Sequence, residues 1–208
     1  MAINFSRRSV IISAVCHAMS SVQAAPLNCE LPDELEYSSK PADKFLQTSC
    51  KSRALGGPPQ LSRFADPIYF LLTPLTWTAE PDTSVGLRSV TVPKGFVTDL
   101  ASIPEALFSV LRADGPYATA AIVHDFLYWD QKTSREDADL VFQAAMRDLE
   151  VIPAQIHTLY QGVKTFGGRA WEKNKSDKNS GEKRILKKFP ASAKTRWAQW
   201  KVHNDVFY

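Results

Sequence analysis

Two stretches in the middle of the chain place polar side chains among apolar ones. Thr98, Asp99 and Ser102 lie in Pro93-Lys94-Gly95-Phe96-Val97-Thr98-Asp99-Leu100-Ala101-Ser102-Ile103-Pro104, and His124 and Asp125 lie in Ala121-Ile122-Val123-His124-Asp125-Phe126-Leu127-Tyr128. Asp139 follows within Arg135-Glu136-Asp137-Ala138-Asp139-Leu140-Val141-Phe142. An imidazole beside carboxylates supports two kinds of chemistry. Asp99, His124 and Asp139 could bind a divalent metal and activate water. Without metal, the catalytic candidates are Asp99, Ser102, His124 and Asp125, with His124 a general base oriented by an aspartate and Ser102 or Thr98 a nucleophile. A structural role competes with both. Asp99 and Ser102 are suited to capping backbone amides, His124 could be a satisfied core histidine, and Asp139 could pair with Arg135 or Arg147.

The spacing itself is not diagnostic. A His-Asp pair occurs in the HD metal-dependent phosphohydrolases, but these need a further upstream histidine, and only His17 precedes His124 here. What the pattern does give is placement. Ser102-Ile103-Pro104-Glu105 reads as a capping box that opens a helix, ended by Asp114-Gly115-Pro116. A second helix, about Tyr117 to Trp129, is apolar nearly all round, with Tyr117, Ala121, His124 and Tyr128 along one face. A third runs from about Arg135 to Leu149, with Ser134 and Asp137 at its start. A fourth runs from Pro153 to about Phe166, stopped by Gly167-Gly168. If the first two helices are antiparallel, Asp99 and His124 face one cleft, and Asp139 enters it from the third helix.

Ahead of these helices the pattern is that of strands. Ile68–Leu72, Leu75–Thr78 and Val85–Val92 are aromatic, aliphatic or alternating, with Pro74 as a bend and Glu80–Ser84 as a turn, and Phe96-Val97 is a short further strand. Strands followed by helices give an α+β fold: a small antiparallel sheet, then a bundle of about four helices packed on it. The expected organisation is a signal peptide over 1–24, an irregular arm over 25–62, a core domain over 63–171 and a basic, aromatic-containing tail over 172–208.

The 208 residues carry a formal net charge of +3, unevenly spread. Arg169–Tyr208 holds eleven Lys or Arg against four Asp or Glu, so the basic character belongs to the tail. Arg7 and Arg8, the apolar run Val10–Ala18 and the small residues ending at Ala24 read as an export signal. The protein is therefore expected to be periplasmic or secreted, where Cys29 and Cys50 would form a disulfide across about twenty residues. Glu172–Asn179 is expected to be mobile. The tail's aromatics suit docking on the domain, a membrane surface or a partner. An anionic envelope polymer or membrane surface, rather than nucleic acid, is the expected counterpart of its lysines and arginines.

The three motifs quoted above, in this order, resemble the domain of unknown function family 1353, found in tailed phages and bacteria, over about residues 64–171. The resemblance implies a compact domain whose signature polar positions here are Thr98, Asp99, Ser102, His124, Asp125, Tyr128 and Asp139. It implies no activity. The signal, the cysteine arm and the basic tail depart from small phage-type members. Two functional readings follow: an exported, envelope-associated protein with a hydrolase-like Asp/His site, or a non-catalytic binding or assembly module held together by the same motifs.

Overall fold

Alternation of apolar and polar residues builds two small antiparallel sheets. A computed structural model of the chain describes residues 55, 57–100 and 117–208. The signal stretch, Cys29, Cys50, Ser102 and the expected first helix lie outside the described residues. Strands β1 (Leu61–Arg63), β2 (Tyr69–Leu71) and β5 (Val97–Thr98) form one sheet in the order β1-β2-β5. Strands β3 (Leu75–Thr78) and β4 (Ser89–Val92) form a hairpin with Trp77 opposite Val90 and Leu75 opposite Val92. Both of those pairs face the core, while the Thr76 and Thr91 hydroxyls meet at 3.0 Å on the outer face. The bend expected at Pro74 is where the chain leaves one sheet for the other. Strand β1 falls partly in the stretch read from sequence as an irregular arm, and its three residues are too few to show a period.

Three long helices follow, the first packed on β4 and β5 and the other two packed on the first and on each other. Helix α1 (Ala118–Asp130) is buried around most of its circumference, as its near-uniform apolarity requires. Helix α2 (Arg135–Asp148) begins as expected, with the Ser134 hydroxyl accepting from the Asp137 N–H at 3.0 Å. At its far end the Asp148 carboxylate accepts from Trp77 Nε1, the Glu80 N–H and the Thr83 hydroxyl, which ties the hairpin to the helix. The fold is α+β.

Helix α3 (Pro153–Asn179) corrects the expected stop at Gly167-Gly168 and the expected mobile stretch beyond it. It runs unbroken through the two glycines, because Gly167 is there to let helices meet. A Cβ at Gly167 would lie 2.3 Å from the Tyr128 hydroxyl of α1. Close approach holds the second half of α3 against α1: Trp171 packs edge-on to Tyr128, and the Gln131 side chain donates to the Trp171 carbonyl. Asn174 donates to the Tyr128 carbonyl at 3.2 Å. The Lys-rich end is thereby a packed helix.

The C-terminal segment folds back onto the first sheet. Val97 donates to the Arg184 carbonyl and Leu186 to the Gly95 carbonyl. Gly95 has φ +85°, and a Cβ there would lie 2.0 Å from the Leu186 carbonyl oxygen, so the turn and the crossing strand both require glycine. Leu186, Val206 and Phe207 then bury a second core with Phe64, Phe70 and Val97, covered by Phe189 and by Trp197 and Trp200 of the short helix α4 (Trp197–Trp200). Of the three roles open to these aromatics, docking on the domain is the one seen. Among the described residues no helix is long and apolar enough to cross a membrane.

The two adjacent glycines of α3 give a paired test. Gly168→Ala meets nothing within 4 Å and should raise stability by up to about 1 kcal/mol through helix propensity. Gly167→Ala should lower it, because Tyr128 must move. Thermal unfolding of both variants checks this, and equal stabilisation by the two would contradict the packing described.

Candidate functional site

The site begins at a backbone irregularity. Immediately after β5, Leu100 adopts φ 70°, an uncommon value for a non-glycine residue. The Thr98 hydroxyl accepts from the Leu100 N–H at 2.9 Å and donates to Asp125 Oδ2 at 2.5 Å. One side chain thus shapes the turn that carries Asp99 and fastens it to α1. Thr98 also lines a cavity shared with Asp99 and His124.

Asp125 is also hydrogen-bonded to the Asp99 carboxyl. Burial, followed by the negative charge of Asp99, pushes Asp125 up to about 8, against smaller opposing effects of the Thr98 hydrogen bond and the Arg184 guanidinium. Burial and the Asp99 charge both favour the protonated form of Asp125. The arrangement is a carboxyl pair of the kind in which one member stays protonated because both cannot readily ionise together.

The second polar group centres on Asp139 of α2, 3% exposed. Its Oδ1 meets His124 Nε2 at 2.9 Å and accepts from the Tyr128 hydroxyl at 2.6 Å, and its Oδ2 accepts from Arg135 at 2.9 Å. A carboxylate has only lone pairs to offer, so Nε2 carries the hydrogen and Nδ1 is the basic nitrogen of the His124 ring. Burial lowers the His124 pKa, and the Asp139 hydrogen bond and charge oppose that shift. Burial and Asp139 together push the Tyr128 phenol up. The ring is held between Tyr128 and Phe142, with centroids at 4.1 and 4.7 Å.

Both groups meet at one cavity of about 470 Å³, lined by Asp99, His124, Asp125 and Tyr128 among others. Asp99 and His124 do face a shared cleft, and Asp139 backs His124 from the neighbouring helix. The metal set Asp99, His124 and Asp139 is not assembled: both Asp139 oxygens are taken by His124, Tyr128 and Arg135. Among the described residues no three His, Cys, Asp or Glu converge as metal ligands. Ser102 lies outside the described residues.

Sequence reasoning missed part of the lining. Arg169, Lys173 and Asn174 of α3 and Arg184 and Trp197 of the C-terminal segment also line the cavity. Arg184 lies over the Trp129 ring at 4.6 Å and pairs with Glu182 at 3.3 Å. The basic-aromatic interleaving was visible in the tail, but its fold-back on Gly95 was not.

Residues 75–163 match the family model described as Protein of unknown function (DUF1353). This stretch is similar to that family. It contains Thr98, Asp99, His124, Asp125, Tyr128, Arg135 and Asp139, so both polar groups belong to the DUF1353 region. Arg169, Lys173, Asn174 and Arg184 lie beyond the matched residues. No curated protein and no solved structure matches the chain.

Carbon-13 NMR of the aspartate carboxyls should show Asp125 titrating near pH 8. Asp99→Asn should lower that midpoint by removing a negative charge, and Arg184→Gln should raise it by removing a positive one. Folded Asp125 holds its proton well above its ordinary value of 3.8. Its contribution to stability is thus complete below that value and lost as pH rises towards 8. An Asp125 midpoint near 4, unmoved by either substitution, would contradict the paired arrangement.

Proposed function

We propose that this cavity is a hydrolase-like acid-base site. The observation that carries the reading is the hydrogen-bonded pair of carboxyls Asp125 and Asp99 lining the same cavity as His124, whose ring is oriented by Asp139. In the reaction, His124 Nδ1 takes a proton from water as the water oxygen forms a bond to the electrophilic centre. Asp125 gives its proton to the departing oxygen or nitrogen as that bond breaks. The proton on His124 then returns to the carboxyl pair through solvent, restoring the starting state. Asp139 orients the ring and favours the imidazolium that forms, and Tyr128 and Arg135 fix Asp139.

We further propose that the protein is exported and acts in the envelope, a reading supported by the signal-like first 24 residues. The docked C-terminal segment leaves Lys183, Lys187, Lys188, Lys194 and Arg196 exposed. Their charge supports contact with an anionic envelope polymer or membrane surface. The extent of the Asp139 network supports a second reading, in which His124 only joins α1 to α2 and the domain is a non-catalytic binding module.

A panel of p-nitrophenyl esters, p-nitrophenyl phosphate and isolated peptidoglycan separates the two. Turnover of one or more substrates is expected, with Asp125→Asn and His124→Ala lowering kcat by about 10²-fold or more in variants whose circular dichroism is unchanged. Absence of turnover across the panel favours the binding module, and activity that survives both substitutions would contradict this acid-base site.

A further inference from the structure

The cavity is lined by both acidic and basic groups. Besides Asp99, Asp125 and His124 it carries three cations: Arg169 and Lys173 on successive turns of α3, and Arg184 from the docked segment, whose charge acts on Asp125. Two of these have local counterions. Lys173 pairs with Asp177 at 2.5 Å, and Arg184 with Glu182 at 3.3 Å and Asp177 at 3.7 Å. Asp177 and Glu182 thus serve two of the three cations, and Glu182 also pairs with Lys201 at 3.5 Å. Arg169 has no ion pair or hydrogen bond among the described residues. Apolar residues also line it, Leu159, Val163 and Phe166 on α3 and Phe142 on α2. Phe166 is 59% exposed, a large apolar surface at the cavity with no protein covering it.

We propose that the cavity takes a ligand bearing an oxyanion, a phosphate or carboxylate group, held by Arg169, Lys173 and Arg184, with an apolar portion lying over Val163 and Phe166. Guanidinium and ammonium donors give charge-assisted hydrogen bonds to such a group, and the concave, partly apolar surroundings screen them less than open solvent does. The placement of the scissile bond against Asp125 and His124 rests on the hydrolase reading above, whereas the anion subsite does not. Because the three cations lie outside the DUF1353 match, this selectivity belongs to the chain's own helical extension and docked segment.

The test is titration of the full chain with inorganic phosphate and, separately, with acetate and octanoate, at low salt, followed by calorimetry and by amide NMR shifts. Binding of phosphate or octanoate is expected, with shifts at Arg169, Lys173 and Arg184. The affinity should fall at least about tenfold in an Arg169→Ala/Lys173→Ala double variant. Both positions are exposed, so the fold should survive. Octanoate binding more tightly than acetate would place the apolar portion on Phe166, and a Phe166→Ala variant should abolish the difference. Phosphate binding alone would identify the oxyanion as phosphate and remove the apolar portion. Asp125→Asn should retain the anion, so loss of turnover with retained binding leaves the subsite standing independently of the chemistry. Absence of binding by every probe, or an affinity unchanged in the double variant, overturns the proposal.

Discussion

Asp139 is a buried carboxylate with three donors converging on its two oxygens, and the site depends on that convergence. Desolvating a carboxylate is expensive, and it is tolerated here because the Arg135 guanidinium lies one helical turn away on the same helix at 2.9 Å. Tyr128 and His124 complete the set from α1. The consequence is mechanical as well as electrostatic. Removing one partner from such a buried network typically costs about 3–5 kcal/mol, so the relative position of α1 and α2 is fixed with the orientation of the imidazole.

The other half of the site is set by close approach. Tyr128 can reach Asp139 with α3 packed behind it only because Gly167 has no Cβ to occupy the space of its hydroxyl. Helix α3 then continues far enough to bring Arg169 and Lys173 to the cavity. Gly95 has the same function for the C-terminal segment, admitting the Leu186 carbonyl and carrying Arg184 towards Asp125. Two glycines, one in a helix and one in a turn, therefore admit the segments that bring the cations to the cavity.

These facts explain what was legible in the sequence. The Ser134 cap, the start of α2, the all-apolar α1 and the hairpin of β3 and β4 are local, and their periodicity or turn chemistry announces them. The face carrying Tyr117, Ala121, His124 and Tyr128 also follows from helical geometry, and all four residues line the cavity. Gly167-Gly168 misled because a glycine pair carries the same local signal whether it ends a helix or admits a neighbour. The Thr98–Asp125 and Asn174–Tyr128 bonds join residues far apart in sequence, as do Arg184 and the site, so no local pattern could show them. The metal reading failed for a related reason: Asp139 was correctly placed near an inward face, but its three donors come from two helices.

The central claim is that burial keeps His124 neutral while Asp139 fixes its hydrogen on Nε2, leaving Nδ1 as the basic nitrogen. Long-range proton–nitrogen NMR of the imidazole rings, assigned by a His124→Gln variant, measures this directly. At pH 7 the account requires a neutral His124 ring with Nε2 protonated and Nδ1 bare. A ring protonated on both nitrogens, or a neutral ring protonated on Nδ1, would contradict it.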